Sequence, residues 1–153
     1  MSRTLSIALA DEAATLALGA ALAPGLSPGL IALHGDLGAG KTTLVRGILR
    51  GLGWQGRVKS PTYTLMERYP SAQLTISHWD LYRLGAPEEL DALGFREFER
   101  QDELMLIEWP ERGGAWLRDC DLEIAIDYVG AARCARLHAR SERGERWLSH
   151  LAA

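Results

Sequence analysis

Apolar positions along the chain recur at two spacings, and together they predict alternating strands and helices. Residues 3–9 read as a short strand. Asp11 is placed to cap a helix running to about Leu22, with Ala, Leu and Gly spaced on one face, ended by Pro24-Gly25 and Pro28-Gly29. Leu30 to His34 is a short apolar strand leading into a glycine-rich segment, and a helix follows from Lys41 to about Leu52 with Leu44, Ile48, Leu49 and Leu52 apolar. Thr62–Tyr69 and Leu74–Asp80 read as two strands joined by a turn at Pro70-Ser71. Pro87 opens a short helix, at the one helical turn where a missing N–H does no harm. Leu104 to Trp109 is a buried strand carrying an acid, Glu108, at its end. Residues 122–128 and 133–139 form a predicted hairpin, and a helix around Trp147 closes the chain. The expectation is one α/β domain over residues 1–153, with helices on both sides of a mixed, mostly parallel sheet and antiparallel additions. The strands at 30–34 and 104–109, with the one ending at Asp80, supply the parallel core.

Composition narrows the setting. The 153 residues are enough for one core, and 47% hydrophobic with 24% charged residues is an ordinary globular balance. No apolar stretch approaches the roughly 18 residues of a membrane span, and the first residues lack a signal peptide's apolar core. Cys120 and Cys134 have no metal-ligand spacing, which fits a reducing compartment; the expected location is the cytoplasm, with no membrane partner. A net charge of −3 argues against a protein that grips nucleic acid through its own basic face, while leaving room for a subunit of a complex that acts on it.

The segment Gly35-Asp-Leu-Gly-Ala-Gly-Lys-Thr42 matches G-x-x-x-x-G-K-[ST] in full, between an apolar strand and a helix. Its glycines let the backbone approach phosphates closely, its N–H groups form an anion nest, and the helix that follows adds unpaired donors and a positive dipole end. This predicts a P-loop NTPase-like domain that binds ATP through Leu37, Gly38, Ala39, Gly40, Lys41, Thr42 and Thr43. Lys41 is expected on the β- and γ-phosphates and the Thr42 hydroxyl on Mg²⁺. Lys41 and Lys59 are the only lysines, so the point charge in the loop stands out in a chain whose other cations are arginines.

A bound nucleotide needs groups that hold the cation and orient water. Glu108 and Asp80 each end a strand expected to open towards the loop. On spacing alone either acid qualifies as the metal ligand. Glu108 is favoured for that role, with Asp80 as a further metal-shell group or the residue that positions the attacking water. His78 lies two residues before Asp80, but no third ligand accompanies them, and a structural histidine is the simpler reading. Ser60 and Thr62 flank Pro61 in a region where switch segments sense a γ-phosphate. Trp109 is placed either to stack on a base or to pack in the core.

The chain resembles the TsaE (formerly YjeE) family of small bacterial ATPases. The resemblance is carried by the glycine loop to Thr43, by Lys59-Ser-Pro-Thr-Tyr-Thr-Leu65, by His78-Trp-Asp-Leu-Tyr-Arg-Leu84, by Pro87-Glu-Glu-Leu90 and by Ile107-Glu-Trp-Pro110, in this order and spacing. It implies a weak Mg²⁺-dependent ATPase that associates with TsaD, a transferase subunit, and its paralogue TsaB. The assembly makes threonylcarbamoyladenosine at position 37 of tRNAs reading ANN codons, and tRNA is met through the complex rather than directly. The matching positions imply Lys41, Asp80 and Glu108 as catalytic, Thr42 and Glu108 as metal ligands, Ser60 and Thr62 as a switch-like pair, and Trp109 beside the nucleotide. They also place Glu12, on the first helix, near the adenine. The tail beyond about residue 130 is the least distinctive part.

Two other classes use the same loop. A small-molecule kinase needs a lid rich in arginine, and residues 81–103 are short for one, although Arg83, Arg96 and Arg100 lie there. A nucleotide-gated binding module would present apolar residues such as Phe95 and Phe98 to a partner; inward packing is the commoner fate of such side chains.

Overall fold

The computed structural model describes residues 3–71, 74–100, 102–117 and 119–152. Seven strands form one sheet: β1 (Thr4–Leu9), β2 (Gly29–His34), β3 (Met66–Tyr69), β4 (Ile76–Asp80), β5 (Leu104–Glu108), β6 (Leu122–Val129) and β7 (Ala132–Ala139). The helices are α1 (Glu12–Leu22), α2 (Lys41–Gly51), α3 (Glu89–Ala92), α4 (Phe95–Arg100) and α5 (Glu142–Ala152). Short 3₁₀ turns cover Ala23–Gly25 and Pro110–Leu117. Across the sheet the strands run β1-β7-β6-β2-β5-β4-β3.

The expected parallel core is present: β2 pairs with β5, and β5 with β4. β6 also joins β2 in parallel, which the hairpin pattern did not reveal. The hairpins β3–β4 and β6–β7 add antiparallel edges, and β1 closes one side against β7. The central strands are apolar on both faces, as strands covered by helices on each side require. Ile31, Leu33, Leu106 and Ile124 face a core shared with Leu18 and Leu22 of α1, Leu44 and Ile48 of α2, and Trp147 of α5. Leu30, Ala32, Met105 and Ile107 face a second core with Trp79, Leu81, Leu90 and Phe95. Phe95 is buried and half-buried Phe98 packs edge-on against Trp79, so both contribute to the second core.

Asp11 caps α1 as expected, its Oδ1 accepting the Ala14 N–H at 2.9 Å. The strand expected over residues 62–69 begins only at Met66. Ahead of it the chain winds: Leu65 N–H donates to Pro61 O at 2.8 Å and Leu65 takes a left-handed φ of 68°. The following strand likewise starts at Ile76 rather than Leu74, whose N–H donates to Ser71 Oγ at 3.1 Å. No described helix is long and apolar enough to cross a membrane.

Candidate functional site

The parallel arrangement brings the carboxyl ends of β2, β4 and β5 to one edge, where sites form in open α/β sheets. β2 leads into the glycine loop, β4 ends at Asp80 and β5 at Glu108, with Asp80 and Glu108 side by side in the register. The loop turns through left-handed conformations at Gly38 (φ 79°) and Gly40 (φ 115°), and Gly40 starts α2. A side chain at either position is strained there. The first-turn N–H groups of α2, directly after the loop, have no partners within the helix.

A cleft of about 200 Å³ is lined by Leu37, Gly38, Gly40, Lys41, Thr42, Thr43, Thr62, Asp80, Glu108 and Trp109. Most of the residues singled out from the sequence thus meet in one place. Buried Lys41 donates to the Gly35 carbonyl and lies 3.7 Å from the centroid of the Trp109 ring. Burial pushes its pKa down, opposed by the carboxylates of Glu108, Asp80, Glu111 and Asp36. The four carboxylates thus favour the charged form of the Lys41 ammonium against its burial.

Thr42 Oγ1 donates to Glu108 Oε2 at 3.1 Å, and His78 Nε2 lies 2.6 Å from the same oxygen. Asp80 is held by its own turn: Oδ1 accepts the Tyr82 N–H at 3.0 Å, and Oδ2 accepts Thr62 Oγ1 at 3.4 Å. Ser60 reaches the site only through Thr62, hydroxyl to hydroxyl at 2.7 Å. The oxygen donors Thr42, Glu108 and Asp80 suit a hard divalent ion such as Mg²⁺, which is usually held by one or two carboxylates plus substrate phosphates.

Beside the cleft, and sharing Gly38, Gly40 and Thr43 with it, is a cavity of about 230 Å³. Asp11, Glu12 and Thr15 form one wall, and Ala131, Ala132 and Arg133 another. Glu12, expected near the nucleotide, borders this cavity rather than the cleft, and its carboxylate pairs with Arg46 at 3.6 Å. Sequence reading missed the second wall. The β6–β7 turn carried no motif, yet β6 lies beside β2 and delivers Tyr128 to the loop, where its hydroxyl donates to Leu37 O at 3.1 Å. Arg133 stacks 4.0 Å from the centroid of that tyrosine ring. The His78–Glu108 contact was missed as well, because the two residues meet across β4 and β5 and share no sequence spacing.

A family model described as "Threonylcarbamoyl adenosine biosynthesis protein TsaE" matches residues 9–136. A relative from Haemophilus influenzae, a tRNA threonylcarbamoyladenosine biosynthesis protein TsaE, is 50% identical over 120 residues, covering 78% of this chain and 76% of its own. A protein of the same name from a Nostoc species is 43% identical over 111 residues, covering 69% and 68%. The crystal structure of YdiB from Bacillus subtilis superposes with a TM-score of 0.83 at 28% identity, over 99% of this chain and 96% of that one. The glycine loop, Asp80 and Glu108 all lie inside the matched span, and on the strength of that match the chain belongs to the TsaE family of threonylcarbamoyl adenosine biosynthesis proteins.

Proposed function

We propose that this protein binds and slowly hydrolyses ATP with Mg²⁺, as the ATPase subunit of an assembly with TsaD and TsaB. That assembly would install threonylcarbamoyl on adenosine 37 of tRNAs reading ANN codons, in the cytoplasm. The observation that carries the reading is the convergence of Lys41, Thr42, Asp80 and Glu108 on one cleft beside a glycine loop.

In this reading the loop N–H groups from Leu37 to Thr43 cradle the phosphates, and Lys41 leaves the Trp109 ring to bridge the β- and γ-phosphate oxygens. Thr42 and Glu108 would hold the cation, which would supply positive charge to the phosphate oxygens. Asp80, fixed by Tyr82 N–H and Thr62, orients the attacking water and accepts its proton as the bond between the γ-phosphorus and the bridging oxygen breaks. Ser60 and Thr62 form the switch-like segment, because a shift of Thr62 towards a γ-phosphate also alters Asp80. The adjoining cavity, with Glu12 on its wall, takes the nucleoside, and Trp109 borders the phosphate end. The net charge of −3 favours contact with tRNA through the partners.

The test is phosphate release from ATP by the purified protein, alone and with its cognate TsaD–TsaB pair. Stimulation by the pair is expected. Binding to neither ATP nor the pair would refute the reading.

A further inference from the structure

His78 is an unusual occupant of its position. It is fully buried on β4, and its Nδ1 has no hydrogen-bond partner among the described residues. A buried polar atom left unpaired costs stability, so an apolar side chain of similar volume would serve the core at least as well. What the imidazole provides is at its other end, where Nε2 lies 2.6 Å from Glu108 Oε2. In the tautomer with its hydrogen on Nε2, the imidazole donates to that carboxylate oxygen. Glu108 is itself buried and has a flexible side chain; Thr42 Oγ1 is the second donor to the same oxygen.

Resting on the ATPase reading above, we propose that His78 is a positioning residue for Mg²⁺-dependent nucleotide binding: its Nε2–H fixes the Glu108 carboxylate against Thr42 and does not itself ligate the cation. The two donors act together. The Thr42 hydroxyl can offer its oxygen lone pairs to a cation while its hydrogen stays on Glu108, but only if Glu108 Oε2 is held where that hydrogen points. His78 holds it from the sheet side, from a neighbouring strand whose register is set by the β4–β5 ladder. Two residues further along β4, Asp80 makes different contacts, accepting from the Tyr82 N–H and from Thr62 Oγ1.

The experiment compares wild type with His78→Gln, His78→Asn and His78→Leu. Gln places an amide N–H near the position of Nε2; Asn reaches only as far as Nδ1; Leu has no donor. ATP affinity is measured by calorimetry without Mg²⁺ and across a Mg²⁺ titration, alongside the Mg²⁺ dependence of phosphate release and near-ultraviolet circular dichroism to confirm folding. All folded variants are expected to bind ATP alike without Mg²⁺. With Mg²⁺, Leu and Asn should need roughly 10- to 100-fold more of the ion to reach the wild-type response, while Gln stays close to wild type. A Leu variant with the wild-type Mg²⁺ requirement overturns the proposal. If Leu does not fold, equal behaviour of Asn and Gln overturns it. Wild type that binds no ATP with Mg²⁺ instead refutes the functional reading beneath it.

Discussion

The Lys41 ammonium rests 3.7 Å from the centre of the Trp109 ring, and both side chains line the cleft beneath the glycine loop. Trp109 is brought there by a left-handed turn (φ 57°) directly after the buried strand, so its ring leaves the sheet and covers the lysine. A cation over an indole is worth about 0.5–2 kcal/mol, much less than charge-assisted bonds to phosphate. ATP is therefore expected to draw Lys41 off the ring and change Trp109 emission. Trp109→Phe should abolish the nucleotide-dependent part of the fluorescence. An unchanged response in that variant would place Lys41 elsewhere in the bound state.

Removing the lysine tests the site more directly. Lys41→Ala deletes the cation expected to face two phosphate groups, and with about 1.5–3 kcal/mol per charge-assisted bond, ATP affinity should fall by roughly 100-fold or more. Calorimetry with Mg²⁺-ATP reads this. Unchanged affinity would mean that the nucleotide does not bind at this loop.

The two carboxylates at the ends of β4 and β5 should separate by role. Glu108→Ala is expected to leave Mg²⁺-free nucleotide binding largely intact and to impair Mg²⁺-dependent hydrolysis. Asp80→Asn keeps the side chain's size and its acceptor for Tyr82 N–H, and should slow turnover by about 10²–10⁴ with little change in the Mg²⁺ requirement. Hydrolysis that survives Glu108→Ala would make Asp80 the better cation ligand.

Helix α2 is held at its working height by glycines at its contact with α1. A Cβ on Gly47 would lie 2.4 Å from the Leu16 carbonyl oxygen, and one on Gly19 would lie 2.6 Å from the Ile48 nitrogen. Both obstacles are backbone, so the helices must part to accept a methyl group. Gly47→Ala should destabilise the fold by roughly 1–3 kcal/mol despite alanine's better helix propensity, lowering the melting temperature by several degrees. A higher melting temperature would show that the α1–α2 contact relaxes freely.

Burial raises the Cys120 thiol to about 11 from an ordinary 9.0, aided by Glu123 and opposed by Arg140. An acid whose folded-state pKa is raised holds its proton in the fold after the unfolded chain has lost it. Its contribution to stability is therefore present below pH 9 and falls away between about 9 and 11. Cys120 should resist alkylation at pH 8 in the native protein and react only after unfolding, which mass-resolved labelling checks. Rapid native labelling would mean that its cover opens readily.

The glycine loop, the flanking strand and helix, Asp80 and Glu108 were legible in the sequence because their signals are local. Loop conformation depends on where the glycines fall, and an apolar run ending in an acid marks a strand that leaves its last side chain at the sheet's edge. The Asp11 cap was legible for the same reason, since it acts three residues away. Local reading failed where tertiary contacts overrode propensity. Thr62 to Leu65 carry strand-forming residues but wind into a turn, which leaves Thr62 Oγ1 against Asp80 and Leu65 O to accept the Asp80 N–H. Only the folded sheet decided that β6 lies beside β2, bringing Tyr128 and Arg133 from the least distinctive part of the chain to the loop, and that His78 meets Glu108 across two strands. Such pairings are set by strand order and register, which a one-dimensional pattern leaves open. The residues that line the cleft were therefore marked by the chain's motifs, whereas the company each motif keeps was settled by the ladder of backbone hydrogen bonds that aligns β4, β5, β2 and β6.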